Sequence, residues 1–275
     1  MTQPEPAPGH PLITRIVGPN PGPMTLSGTN TYIVGNDPAW VIDPGPDDPG
    51  HIEAVRAEAE RRGGLAAILI THRHLDHTAG AESLGGDVIW GSIKAVDETA
   101  ALAEAMQELT IRKVRGSHPG PDSDAGPFRV IQTPGHASDH VVFVYGGDSE
   151  VCFCGDLILG EGSAIVPPQA AGGSLADYMR SLDRVEELAP ALLCPGHGPW
   201  VTDPAAKIAE YREHRLDRER RLVAELEDGE RSKAALLDAV WDDVPAPLRP
   251  AAALAMRAHL EKLAGDGVRV GELED

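Results

Sequence analysis

The amino-acid sequence predicts an α/β fold followed by a small, mainly helical C-terminal unit. Three observations carry this. Over the first two thirds, short apolar runs alternate with segments of helical periodicity. Clusters of glycine and proline punctuate the ends of those runs. After Pro204 the short apolar runs give way to long charged segments of helical character.

Taken in order, Thr31–Val34 and Trp40–Asp43 read as two strands of a hairpin, joined by Gly35, Asn36, Asp37 and Pro38. The turn Pro44, Gly45, Pro46 ends the second strand. A helix then spans Pro49–Arg62, with Ile52, Val55 and Ala59 at its apolar positions. Ala66–Thr71 is a buried strand, Asp87–Trp90 a shorter one, and Ile93–Met106 is mostly helical. Phe128–Thr133, His140–Tyr145 and Glu150–Cys154 are three strands separated by turn signals. Leu175–Leu188 is a helix and Ala191–Cys194 a strand.

The remainder reads as a long helix, Ala205–Asp228, closed by Gly229, and two shorter helices, Ser232–Val240 and Leu248–Leu263. Gly265, Asp266 and Gly267 then turn into a short strand, Val268–Val270. Three helices and a tight hairpin outline a winged-helix-like module. Between Lys207 and Lys233 basic and acidic residues are equal in number, eight of each. A surface that tracks phosphates is expected to be positive, so a cap on the core or a dimer contact suits this module better. The organisation expected is a disordered segment over 1–11, a core domain over 12–204, and a linker helix with the winged-helix-like domain over 205–275.

A chain of 275 residues with 41% hydrophobic content can bury a sizeable core, and with only 4% aromatics that core is mostly Val, Ile, Leu and Ala. The formal net charge of -19 argues against non-specific attraction to nucleic acid or anionic membranes. No apolar run approaches the roughly 20 residues of a membrane helix. Met1–Pro11 has neither a signal-peptide core nor transit-peptide character, so a cytoplasmic location without membrane contact is expected. Cys152, Cys154 and Cys194 are too few and too poorly spaced for a disulfide framework or a cysteine zinc site, and read as reduced core residues.

Chemistry concentrates in Thr71–His77. His72, His74, Asp76 and His77 follow directly on the apolar run Leu65–Ile70. Imidazole and carboxylate together are the ligand set that zinc prefers. Burying so many unpartnered polar groups at a strand end costs free energy, so a metal is the economical reading. Three more signals stand where strands end: Gly135 and His136, Gly155 and Asp156, Gly196 and His197. Ligands in layered α/β folds collect on such loops.

His72-Arg73-His74-Leu75-Asp76-His77, with Gly135-His136, Gly155-Asp156 and Gly196-His197, resembles the metallo-β-lactamase superfamily over about Leu12–Asp203. The resemblance implies a four-layer αβ/βα sandwich with two zinc ions between the sheet edges. One ion would take His72, His74 and His136, the other Asp76, His77 and His197, and Asp156 would bridge them. No cysteine ligand stands at the second position, unlike in the antibiotic-hydrolysing branch. Cys194 is not expected to bind.

The flanks are similar to the β-lactamase-like protein 2 family, in Asn20–Tyr32, Gly155–Gly162, Asp177–Leu182 and Tyr211–Arg215. That family carries a C-terminal winged-helix-like domain. Its animal member is a mitochondrial endoribonuclease acting on single-stranded RNA, and related chains include thioesterases that release polyketides. The chain departs from the pattern at Ala79, where glycine is usual, and at Ile165–Gly173, which reads as an insertion beside the site.

The expected chemistry is hydrolysis by a metal-bound hydroxide. Asp76 is expected to orient that hydroxide, and His140 is the candidate proton donor to the leaving group. Asn30 and Ser163 are candidates for substrate contact. His10, His51, His118, His214 and His259 are expected in exposed or capping roles, with His214 docking the C-terminal module. Two Zn2+ per chain are expected, and iron or manganese suits the same ligands. Three readings follow: a nuclease of single-stranded RNA, a hydrolase of a small ester, thioester or lactone, and a non-catalytic metal scaffold. The charged helix from Ala205 leaves a homodimer open.

Overall fold

Two β-sheets face each other, each backed by helices. The computed structural model describes residues 3–90, 123–147, 150–229 and 232–274. In chain order, β1 (Glu5–Ala7), β2 (His10–Val17), β3 (Asn30–Val34) and β4 (Ala39–Ile42) precede α1 (Pro49–Arg61). Then come β5 (Leu65–Ile70), the short helices α2 (Leu75–Thr78) and α3 (Ala81–Leu84), and β6 (Val88–Trp90). The second sheet is built from β7 (Ser123–Ala125), β8 (Phe128–Gln132), β9 (Val141–Tyr145), β10 (Val151–Gly155) and β11 (Leu192–Pro195). Helix α4 (Leu175–Leu188) connects β10 to β11, and α5 (Pro204–Glu227), α6 (Lys233–Val240) and α7 (Arg249–Gly265) complete the chain.

The first sheet has the order β1-β2-β3-β4-β5-β6, the second β11-β10-β9-β8-β7. In the first, β4, β5 and β6 run parallel. In the second, β10 and β11 are parallel while β9 opposes both β10 and β8. The C-terminal ends of β8, β10 and β11 therefore share one edge. This is the geometry that the candidate strand-end ligands require.

Alternation along the strands assigns the layers. Tyr32 and Val34 point between the sheets, where they meet Phe128, Val141, Phe143, Val151 and Phe153. Ile33, one residue out of phase, packs with Val41, Ile68, Ile52 and Val55 under α1. On the outer face of the second sheet, Val142, Val144, Cys152 and Cys154 pack with Tyr178, Leu182 and Tyr211 of α4 and α5. Helix, sheet, sheet, helix is the four-layer sandwich expected. All three cysteines are free and buried, and Cys152 and Cys154 share a face. A further apolar cluster, Leu222, Leu226, Leu236, Val240, Trp241, Met256 and Leu260, joins α5, α6 and α7.

Three expectations need correction. Within the segment 1–11, expected to be disordered, Glu5–Ala7 and the start of β2 are ordered as strands. Pro4 and Pro6 obscured this, but β1 is an edge strand, where a missing backbone donor is tolerated. Glu5 also pairs with Arg15 and accepts from Trp200 Nε1 at 3.1 Å. The strand expected at Val268–Val270 does not form. Helix α7 runs through Gly265, and the only β-pairing of the chain beyond, among the described residues, is the isolated bridge Ser232–Glu274. Finally, His51 and His259 are buried, against the exposed or capping roles expected. His51 Nε2 lies 3.0 Å from Thr31 Oγ1, and the His259 ring stands edge-on to Trp241. The helix expected at Ile93–Met106, and His118, lie outside the described residues.

Candidate metal centre

The residues between β5 and α2 carry the first four candidate ligands. Helix α2 places Asp76 in its first turn and His77 at its end, with His74 as N-cap. His136 follows β8, Asp156 follows β10 and His197 follows β11. All seven converge, in two groups whose ligand atoms lie within 4.8 Å of one another: His72, His74, His136 and Asp156 in one, Asp76, His77 and His197 in the other. Asp156 reaches across, with Oδ1 3.5 Å from His77 Nε2 and Oδ2 3.4 Å from His197 Nε2.

Hydrogen bonds settle which ring nitrogens face inward. A carbonyl oxygen only accepts, so His136 Nδ1 donates to Ile165 O at 2.7 Å and His197 Nδ1 to Gly28 O at 3.2 Å. His77 Nδ1 donates to Asp43 Oδ2 at 2.8 Å. Thr71 Oγ1 spends its proton on Asp43 Oδ2 at 2.7 Å, and so accepts from His72 Nδ1 at 3.0 Å. In the neutral form of all four rings Nε2 therefore carries the lone pair, and it faces inward. His72 Nε2 and His136 Nε2 stand 2.9 and 3.0 Å from His74 Nδ1, and a single proton there cannot serve both. His77 Nε2 and Asp156 Oδ1 are buried without a hydrogen-bond partner. Lone pairs that converge in a buried space, with acids among them, fit cations of the borderline class.

The electrostatics follow the same division. Burial, then the neighbouring His136, pushes His74 down to about 3. Burial would raise Asp76, but His77 and His197 bring it down to about 2. Burial would lower His77, but Asp76, Asp156 and Asp43 hold it well above the usual imidazole range.

Glycine is required where the loops meet. A Cβ on Gly196 would sit 2.3 Å from Asp156 Oδ1 and 2.7 Å from His77 Cε1. Ala79, the departure from the family pattern, caps α2 with φ -59 and ψ -35, where alanine is unstrained.

Other candidates fall elsewhere. His140 is buried behind the ligands, its ring 5.2 Å from that of His72 and its Nδ1 2.8 Å from Thr133 Oγ1. Burial, then His136, pushes it down to about 3. Asn30 is buried, its side-chain amide committed to Pro195 O at 2.8 Å and Gly198 O at 2.9 Å, so it holds the His197 loop. Ser163 Oγ lies 3.4 Å from His214 Nδ1. Sequence reasoning missed Asp43 and the two carbonyls. Asp43 had a signal: it is an acid at the end of β4, before a Pro-Gly turn. The Ile165 carbonyl makes the segment that read as an insertion part of the site.

A cavity of about 460 Å³ opens on His136 and Asp156. Its walls include Met24, Leu26 and Leu159 from the core and Trp241, Val244 and Leu248 from the C-terminal helices.

A four-layer sandwich with histidine and aspartate clusters at its strand ends that could hold metal ions defines a hydrolase-like α/β class. The model of the metallo-beta-lactamase superfamily matches residues 24–197, and the chain belongs to that superfamily. It is 32% identical to a beta-lactamase-like protein 2 homolog of Caenorhabditis elegans over 265 residues, 93% of this chain and 85% of the relative. It is 32% identical to an atrochrysone carboxyl ACP thioesterase of Aspergillus chevalieri over 277 residues, 96% of this chain and 84% of the relative. The crystal structure of a metallo-beta-lactamase family protein from Thermus thermophilus matches with a TM-score of 0.69 at 25% identity, covering 94% of each chain.

Proposed function

We propose that this protein is a zinc-dependent hydrolase whose substrate is a small thioester with an apolar acyl group. The observation that carries this reading is the cavity of about 460 Å³, which joins His136 and Asp156 to a mostly apolar wall. Pockets of this size and lining suit small organic molecules. The formal charge of -19 disfavours a polyanionic substrate.

His72, His74 and His136 would hold one ion, Asp76, His77 and His197 the second, with Asp156 shared. Bound zinc supplies Lewis acidity and a water that ionises near neutral pH. Asp43, Ile165 O and Gly28 O orient the imidazoles, and Met24, Leu26, Leu159 and Trp241 shelter the acyl group from water. Hydrolysis breaks the C–S bond, forms a C–O bond, and leaves a carboxylate and a thiol. A thiol ionises at about 8.5, so a thiolate departs without a dedicated proton donor. His140, buried behind the ligands, then acts as a positioning residue. The core over 12–204 carries the chemistry and residues 205–275 complete the cavity wall.

Similarity to the beta-lactamase-like protein 2 homologues favours a second reading, cleavage of single-stranded RNA. Zinc-loaded protein is assayed on acyl thioesters and on labelled RNA oligomers, with and without chelator. Chelator-sensitive thioester turnover, abolished in His74→Ala, supports the proposal. RNA cleavage without thioester turnover overturns it. Elemental analysis of the purified protein tests for two ions per chain and separates zinc from iron or manganese.

A further inference from the structure

Arg215 lies on α5, in the wall of the cavity that opens on His136 and Asp156. It is 3% exposed. Its Nη2 donates to Ala164 O, and its guanidinium stacks 5.1 Å from the Tyr178 ring centroid. Its Nε is buried without a partner. No carboxylate among the described residues stands within ion-pair distance of it. Arg218, one turn along the helix, differs: it holds Asp243 through two contacts of 2.7 and 2.8 Å. None of the other acids lining the cavity forms an ion pair with Arg215 among the described residues. Glu210 pairs with Lys207 at 3.0 Å, and Asp156 belongs to the metal cluster. Glu161 is exposed.

A buried charge without a counter-charge is costly. One carbonyl, the Tyr178 hydroxyl and its ring face are all neutral and leave the guanidinium charge uncompensated, and Arg215 lines the cavity. His214 and Ser163 line the same cavity and are half-buried, so both reach a bound molecule. Burial, then Arg215 and Arg218, holds His214 down at about 4, so it offers a neutral ring beside the cation.

We propose that Arg215, with His214 and Ser163 beside it, is the specificity site for a carboxylate carried on the acyl group of the substrate. The inference rests on the thioester reading above and narrows it to acyl groups with an apolar body and an acidic end. A guanidinium pairs with an oxyanion through parallel N–H donors. A phosphate on the thiol carrier would offer similar chemistry. The placement favours the acyl side, because Arg215 holds Ala164, whose neighbour Ile165 orients the ligand His136. The anion site is thus a short way from the reacting bond, whereas the carrier phosphate lies at the far end of a long arm.

The test compares ω-carboxyacyl thioesters, malonyl to adipyl, with neutral acyl thioesters of equal length. Each is offered on N-acetylcysteamine, which lacks phosphate, and on coenzyme A. With zinc-loaded enzyme, Arg215→Met is expected to raise KM at least tenfold for the best carboxylated substrate on either thiol. Because Arg215 also holds the Ala164 carbonyl, a loss shared by neutral and carboxylated acyl groups reports that segment, and the ratio of kcat/KM for carboxylated over neutral acyl groups should fall at least tenfold. Arg215→Lys should recover part of the loss. Equal losses on neutral and carboxylated acyl groups, or a loss confined to coenzyme A substrates, overturn the proposal. Calorimetry on zinc-loaded native protein and on Arg215→Lys then compares glutarate with pentanoate, which share one carboxylate for the metals. If no thioester is turned over, tighter glutarate binding that weakens in the variant keeps the anion site while the thioester reading fails. Equal binding of the two acids by native protein sinks the anion site itself.

Discussion

Asp43 Oδ2 lies 2.8 Å from His77 Nδ1, and both side chains are sealed from solvent. Asp43 also accepts from Thr71 N and Thr71 Oγ1, at 2.8 and 2.7 Å. One carboxylate thus ties the end of β4 to Thr71 and fixes the ring orientation of the candidate ligand His77. Asp43 adopts φ 49 to do so, a left-handed conformation with a strain cost of about 1–2 kcal/mol. Replacing it by asparagine keeps the shape and removes the charge. Asp43→Asn is expected to weaken metal binding by about 10- to 100-fold, the usual effect of losing a partner behind a ligand. Competition against a chromophoric chelator measures this, and unchanged affinity would show the pair to be dispensable.

Gly196 packs against two candidate ligands, Asp156 and His77, at once. It cannot retreat, because its N donates to Gly155 O at 2.8 Å and its O accepts from Asn30 N at 2.7 Å. Gly196→Ala is therefore expected to displace Asp156, lower the metal content per chain, and reduce turnover by about 100-fold, as small misplacements of reacting groups do. Elemental analysis and steady-state assays on one preparation check both parts. Full metal content with full activity would refute the packing argument.

The candidate ligands were legible because each is a histidine or aspartate placed where an apolar run stops, and runs stop at loops. Asp43 obeys the same rule and could have been included. The Ile165 and Gly28 carbonyls could not, since a backbone acceptor leaves no mark on residue type. Nor could the cavity, whose walls come from Met24, Leu159 and Trp241, residues far apart in the chain and brought together by helix packing. Gly265, Asp266 and Gly267 misled for a definite reason. The same turn residues end a helix or open a hairpin, and only a partner strand distinguishes the two.

Ala79 offers a test of the departure from the family pattern. Its backbone N donates to Leu75 O at 2.9 Å and its dihedrals are right-handed helical. Glycine there adds chain entropy to the unfolded state and satisfies no strained angle. Ala79→Gly should destabilise the protein by about 0.5–1 kcal/mol, seen as a fall of a few degrees in Tm with metal content unchanged. A rise in Tm would mean that this turn favours the family residue.

Glu58 on α1 gives the clearest pH dependence away from the candidate metal centre. Burial would raise its pKa, but hydrogen bonds from Arg61 and Arg62, together with their charges, hold it below the usual carboxylate value. Arg62 is the partner that matters, because that pair is 6% and 4% exposed, while Arg61 is 68% exposed and solvent screens it. Arg62 also donates to Leu12 O and Thr14 Oγ1, so the pair fastens the end of α1 to β2. Since the folded pKa is depressed, the contribution is fully present above the unfolded value of about 4.3 and is lost as pH falls through the folded pKa. Glu58→Gln is therefore expected to cost about 1.5–3 kcal/mol at pH 7, in the range of hydrogen bonds to charged groups. As pH falls through the depressed folded pKa, the native protein protonates Glu58 and loses the same interaction, so the two Tm curves should converge. Thermal melts of both proteins across that range decide it: a gap in Tm that stays constant on acidification would mean that the charge of Glu58 plays no part.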